Sequence, residues 1–195
     1  MHLFIDTTEM VTFGLLDENF RWKEYFFDPK ATVSTKLHSL IFQMLEKNEM
    51  EFLDLTSVIY CAGPGSYTGM RVAEGFAKIV EWQEIETYSF YHYEVPQMCG
   101  NKSGIWFANA FKGETFIYEW NESQSSHNLA LDKNIIESLK GKKIFSLRGE
   151  FDTESWHTAD LIKEKPDQTL KVIFDKKIKR NLFYYRPLNE EFKKC

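Results

Sequence analysis

The nine residues Gly63-Pro-Gly-Ser-Tyr-Thr-Gly-Met-Arg71 constrain this chain more than any other stretch, because three glycines and a proline separate a strand-like run from a helical one. Upstream, Ser57-Val-Ile-Tyr-Cys61 is rich in residues that suit a pleated, buried surface. Downstream of Met70, apolar residues recur at Ala73, Phe76, Ala77 and Val80, with Arg71, Glu74, Lys78 and Glu81 between them, which is a helical period with a solvated face. Glu74 and Lys78 also stand in the favourable i, i+4 order. The glycines permit backbone angles closed to other residues and let a second backbone or a ligand come close, while Pro64 fixes one torsion and removes a donor. Ser66 to Thr68 therefore fall at a helix N-terminus, where unpaired N–H groups attract anions.

Two uses of such a turn compete. A P-loop needs a lysine and a hydroxyl residue to close its glycine frame, because the ammonium neutralises phosphate charge that backbone groups only cradle; here Met70 and Arg71 follow Gly69. A dinucleotide fingerprint spaces its glycines G-x-G-x-x-G, and Gly63, Gly65 and Gly69 run one residue longer. Either the glycines only make a tight strand-to-helix turn, or an anion or nucleotide is held there. On the second reading the candidate residues are Asp6, Thr7, Gly63, Gly65, Ser66 and Thr68.

The elements around the turn set the fold class. Leu3 to Thr8 and Met10 to Leu16 read as a β-hairpin, Trp22 to Asp28 as a third strand, and Leu37, Leu40, Ile41, Met44 and Leu45 mark one face of an amphipathic helix. Three antiparallel strands, a helix, a strand ending in a glycine turn and another helix is the order of an α/β ribonuclease-H-like half-domain, the unit beneath actin, the sugar kinases and the heat-shock ATPases. In the second half, Ile105 to Phe111 and Thr115 to Trp120 form a hairpin around Lys112-Gly-Glu114. Asn121 to Asn128 reads as a loop, Ile135 to Leu139 as a short helix and Lys143 to Leu147 as a strand, while Glu150 to Gln168 carries no strong period. The expected organisation is two similar half-domains, 1–98 and 99–195, the second reduced, with the break around Pro96 and Gly100.

Phe4-Ile-Asp-Thr-Thr8, the turn Gly63 to Arg71 and Lys112-Gly-Glu-Thr-Phe-Ile-Tyr118 together resemble the TsaB (YeaZ) family of bacterial tRNA threonylcarbamoyladenosine synthesis. The resemblance is strongest up to residue 90, weak beyond residue 120, and shared in part with TsaD, the catalytic paralogue. It implies a non-catalytic scaffold that activates TsaD, with the ATPase TsaE joining, while TsaD places the threonylcarbamoyl group on the adenosine beside the anticodon. It also implies no cofactor of the chain's own, a nucleotide at most at the partner interface, tRNA met indirectly, and pairing with TsaD or with a second copy through helices 34–48 and 69–82. One face of each helix must bury on its own sheet, so residues flanking the apolar stripe, His38, Phe42, Arg71 and Lys78, are those able to reach a partner. The chain departs from the family pattern at Val33 or Ser34, where a histidine is usual, at Asn109-Ala-Phe111 before the G-E turn, and in the closing Leu182 to Leu188.

Other chemistry is poorly supplied. His2, His38, His92, His127 and His157 include no H-x-x-x-H pair of the kind that holds a metal in catalytic members of the superfamily, so no metal site is expected. Cys61, Cys99 and Cys195 contain no C-x-x-C pair, and Cys61 reads as a small buried hydrophobe. With a net charge of −5 the chain lacks the broad basic surface that grips RNA, save Asp175-Lys-Lys-Ile-Lys-Arg180 beside Phe183-Tyr-Tyr185, which is either a solvated basic loop or a phosphate contact. No leader-like segment opens the chain and no apolar run reaches membrane-spanning length, so a cytoplasmic location is expected. Two rival classes stay open: an ATP- or metal-dependent kinase or glycoprotease-like hydrolase, for which Asp6 is the one well-placed carboxylate, and a ligand-sensing homodimer. Asp6 could orient magnesium or accept a structural hydrogen bond from the Thr7–Thr8 turn.

Overall fold

Successive residues of the first strand point to opposite faces, and in β1 (His2–Asp6) every residue is buried, so both faces of this sheet are covered. The computed structural model describes residues 1–30, 33–110, 114–130, 141–148 and 155–185. They form two compact units, Met1–Tyr91 with Leu170–Tyr184, and His92–Thr169 with Tyr185 onward.

In the first unit, β1, β2 (Val11–Leu16), β3 (Trp22–Asp28), β4 (Ser57–Cys61) and β5 (Glu86–Phe90) lie in the order β3-β2-β1-β4-β5. The first three strands are an antiparallel meander, while β4 pairs parallel with β1 and β5 parallel with β4. The helices α1 (Val33–Lys47) and α2 (Tyr67–Glu81) bury Leu37, Ile41, Met44 and Leu45, and Ala73, Phe76, Ala77 and Val80, against Leu3, Ile5, Phe13 and Val58. That is the expected apolar stripe, save that Leu40 is only partly buried; burying a leucine-, isoleucine-, methionine-, valine- or phenylalanine-sized side chain stabilises by about 1.5–3 kcal/mol. On the alternate positions of β1, Phe4 meets Trp22 and Phe90, and His2 meets Phe20 and Phe174.

Strand β5 has no counterpart in the sequence reading. Its Thr87 and Ser89 are buried polar residues, and they break the apolar run that marks the other parallel strands. Ser89 is satisfied by the segment that follows residue 175: Ser89 N–H donates to Ile178 O at 2.9 Å, Ser89 Oγ donates to Arg180 O at 2.8 Å, and Arg180 N–H donates to Ser89 Oγ at 2.6 Å. Tyr91 Oη then donates to Asn181 O at 2.8 Å and Phe183 N–H to Ala62 O at 2.9 Å. Residues 178–183 are thus a strap stapled beside the edge strand.

The second unit repeats the strand pattern. Its sheet has the order β10-β9-β6-β7-β8, built from β6 (Gly104–Asn109), β7 (Thr115–Trp120), β8 (Ser125–Ala130), β9 (Ile144–Ser146) and β10 (Trp156–His157). Again three strands form an antiparallel meander and two pair in parallel. Among the described residues its helices are α3 (Val95–Met98), α4 (Thr158–Glu164) and the start of α5 (Pro166–Asp175), inside which the boundary between the units falls. His92, Trp106 and Thr158 are all buried; Trp106 Nε1 donates to Thr158 Oγ1 at 3.4 Å, and Thr158 Oγ1 donates to Ser146 O at 3.2 Å and lies 3.4 Å from His92 Nδ1. His92 is therefore buried beside Thr158 in this unit.

Several sequence expectations are corrected here. The loop assigned to 121–128 holds only as far as 124, where Asn121 Oδ1 accepts from Ser123 N–H and Gln124 N–H; residues 125–128 belong to β8. That strand is polar because it is an edge strand with exposed side chains, so alternation never appears in its sequence. The periodless stretch 150–168 contains β10, α4 and the start of α5, and a seven-residue helix is too short to show a period. A single break at 98/99 differs from the observed division, in which the chain leaves the first unit after Tyr91 and returns to it at Leu170. The expected turn at 112–113, helix at 135–139 and closing residues 186–188 lie outside the described residues.

Candidate functional site

Three successive residues at the end of β1 and the glycine turn after β4 are joined by hydrogen bonds. Asp6 is buried, and its Oδ1 accepts from Thr8 N–H at 3.0 Å and from Thr8 Oγ1 at 2.7 Å. These bonds fit one of the two roles the sequence leaves open for Asp6, a carboxylate holding a hydroxyl-rich turn. Thr7 Oγ1 donates to Gly69 O at 2.7 Å, and Ser66 N–H donates to Thr8 O at 2.5 Å. Ser66 caps α2, its Oγ accepting from Gly69 N–H at 3.3 Å.

The glycines are explained by this docking. Gly63 has φ +117°, a conformation that side chains rarely adopt, and it is followed by a cis bond to Pro64. A β-carbon on Gly65 would stand 2.5 Å from Thr8 O, and one on Gly69 only 1.7 Å from Thr7 O. Backbone meets backbone at both positions. The N–H groups of Ser66 and Gly69 are spent on Thr8 and on the cap, and that of Gly63 reaches Cys61 Sγ at 3.5 Å. Of the two uses open to the sequence, the tight turn accounts for all three glycines. Ser66 and Thr68 are exposed, Thr7 is fully buried, and the six nucleotide candidates do gather at one place in the fold.

The outer surface of α1 and α2 is the second candidate. His38, Phe42, Arg71 and Lys78 are all exposed. His38 lies 5.4 Å from the Phe76 ring and Phe42 lies 5.9 Å from Phe52, and Lys78 pairs with Glu74 at 3.5 Å. Arg71 sits at the start of α2, its Nε donating to Tyr184 Oη at 2.9 Å. Sequence reasoning missed two exposed apolar groups at α2, Ile79 at 48% and Trp82 at 80% exposure, and Leu53 at 64% in the turn that follows α1; Phe42 is 52% exposed. A signal was available: Ile79 and Trp82 fall at i and i+3 on the polar side of the α2 stripe, where charge was expected.

Cys61 is buried in β4, as expected, and burial pushes the Cys99 thiol above its ordinary pKa, away from the thiolate that chemistry would need. A hydrogen bond from Thr87, joined by Lys179, holds Glu81 below the usual carboxylate range. No helix among the described residues is long and apolar enough to cross a membrane.

Residues 31–84, which contain α1, β4, the glycine turn and α2, match the family model for TsaD, tRNA N6-adenosine threonylcarbamoyltransferase. A relative from Bacillus subtilis (strain 168), the tRNA threonylcarbamoyladenosine biosynthesis protein TsaB, is 32% identical over 81 residues. Over this segment the chain is similar to the TsaB (YeaZ) family. That match spans 41% of this chain and 35% of the Bacillus protein, so the chain aligns with about a third of that relative's length. Among solved structures, YeaZ from Pseudomonas aeruginosa superposes with a TM-score of 0.64 at 12% identity, covering 94% of this chain and 99% of that one. A protein described as similar to peptidase YeaZ from the same organism gives 0.59 at 14% identity, covering 93% and 99%. At such identities the likeness speaks for the fold, which is ribonuclease-H-like with two five-stranded sheets.

Proposed function

We propose that this chain is a non-catalytic scaffold and activator subunit in tRNA N6-threonylcarbamoyladenosine synthesis, pairing in the cytoplasm with a TsaD-like catalytic paralogue that a TsaE-like ATPase joins. The observation that carries this reading is the exposed apolar set Phe42 on α1, Ile79 on α2 and Trp82 just after it, inside the segment that the TsaD family model matches. Large apolar groups flanked by polar residues mark protein interfaces. His38 and Lys78 lie on the same two helices, Arg71 lies at the start of α2, and a second copy of the chain would compete for the same surface. Nucleotide, on this reading, enters only at the partner interface, and tRNA is held chiefly by the partner.

Co-expression with the same organism's TsaD-like protein, followed by sizing and a modification assay on tRNA, tests it. A complex should form, and Trp82→Ala combined with Phe42→Ala should weaken it by about 2 kcal/mol or more, roughly thirtyfold in Kd. Absence of any complex would sink the proposal. The purified chain alone should also hydrolyse neither ATP nor peptide, with or without divalent metal. Metal-dependent turnover that Asp6→Asn abolishes would establish the rival, enzymatic class.

A further inference from the structure

The strap that follows α5 carries a charge pattern unlike the rest of the chain. Lys176-Lys-Ile-Lys-Arg-Asn-Leu-Phe-Tyr-Tyr185 contains four cations and no acid in a chain of net charge −5. Two of the lysines are engaged at the surface, Lys177 with Glu86 at 3.7 Å and Lys179 with Glu81 at 3.1 Å. The guanidinium groups are placed differently, over aromatic faces. Arg180 lies 5.9 Å from the centre of the Tyr91 ring. Arg71 lies 5.3 Å from the Tyr67 ring and 5.9 Å from the Tyr184 ring, and those two rings are 5.3 Å apart. Phe183 packs edge-on against Tyr91, with ring centres 5.5 Å apart.

Tyr67, Arg71, Tyr91, Arg180, Phe183 and Tyr184 are all on the first unit, and hydrogen bonds to Ser89, Tyr91 and Ala62 hold residues 178–183 in place on it. Arg180 and Tyr184 are four residues apart, no more than about 14 Å of chain. Arg71 and Arg180 are exposed, as is Tyr67. Ring faces beside exposed guanidinium groups, brought together where the strap meets the start of α2 and the end of β5, match what single-stranded nucleic acid offers, bases that stack and phosphates that need cations. An acidic peptide would use the cations and leave the rings idle.

We infer that Tyr67, Arg71, Arg180 and Tyr184 form a short contact strip for single-stranded nucleic acid. The inference stands apart from the scaffold role, because it is tested on the chain alone without any partner protein.

Fluorescence anisotropy with labelled uridine and thymidine octamers is the experiment. Binding of either octamer should be weak, with log K falling against log salt at a slope of about −1.4, as release from two phosphates of a single strand gives. Arg71→Gln with Arg180→Gln should reduce affinity at least tenfold, while Lys23→Ala on β3 leaves it unchanged. Tyr184→Phe, which keeps the ring, should bind as the native chain does, and Tyr184→Leu should not. Circular dichroism confirms that each variant is folded. No binding of either octamer, equal binding by the double arginine variant, equally tight binding of a sixteen-pair duplex, or displacement by an oligoglutamate of equal charge as readily as by unlabelled octamer would each overturn the inference.

Discussion

Alanine at Gly69 should lower stability by about 3 kcal/mol or more, a fall in Tm of roughly 6–12 °C for a chain of this length. The added carbon would sit 1.7 Å from the carbonyl oxygen of Thr7. A flexible side chain could swing away from such a collision, but a carbonyl cannot. Here the carbonyl belongs to a turn fixed by Asp6 Oδ1 and by Thr7 Oγ1 on Gly69 O, so relief requires α2 to retreat from β1. The internal control is Gly75 on the same helix, where an added carbon meets nothing within 4 Å. Alanine there should stabilise by about 0.5–1 kcal/mol, because glycine in a helix interior costs that much. Urea titration followed by circular dichroism checks the pair; equal and small effects at both positions would show that the turn does not dock as described.

The second large effect is a loss of stability in mild acid that traces to His2. Burial first, and the N-terminal ammonium second, lower its pKa from 6.5 to about 4, against a smaller opposing influence of Asp17. The imidazole is stacked at 4.3 Å on Phe20, edge-on at 4.8 Å to Phe174, and its Nδ1 is 2.8 Å from Ser57 Oγ. Folded protein therefore favours the neutral ring, and the unfolded chain binds the proton first. Stability from this source is complete above pH 6.5 and declines as pH falls toward about 4, by at most ~3 kcal/mol over that window. His2→Phe should flatten this part of the stability profile; an unchanged acid dependence in that variant would assign the loss to other groups.

What could be read from the sequence was what backbone geometry or a long period dictates. The Gly63–Arg71 turn was legible because each glycine is demanded by a positive φ or by an approaching backbone. Helices α1 and α2 were legible because a fifteen-residue helix has room to repeat its stripe. Strand β5 was not, since Thr87 and Ser89 break its apolar pattern, and Ser89 is satisfied by a segment some ninety residues away in the chain. Strand β8 was hidden by its exposed polar side chains. The interface candidates were found by their position beside the stripe, yet Trp82 was passed over because it follows the last residue of α2. The tyrosines around Arg71 come from opposite ends of the sequence, and only the fold brings Tyr67 and Tyr184 together.

The strap beside β5 also governs how this gene can be cut. A fragment ending at Tyr91 would hold the whole first sheet but would expose the flank of β5 that Ile178, Arg180 and Asn181 now cover. Bare strand edges recruit other chains. A half-molecule with this edge covered would have to be made by fusing residues 170–184 back onto residues 1–91, and truncation at residue 91 or 169 would leave the edge bare.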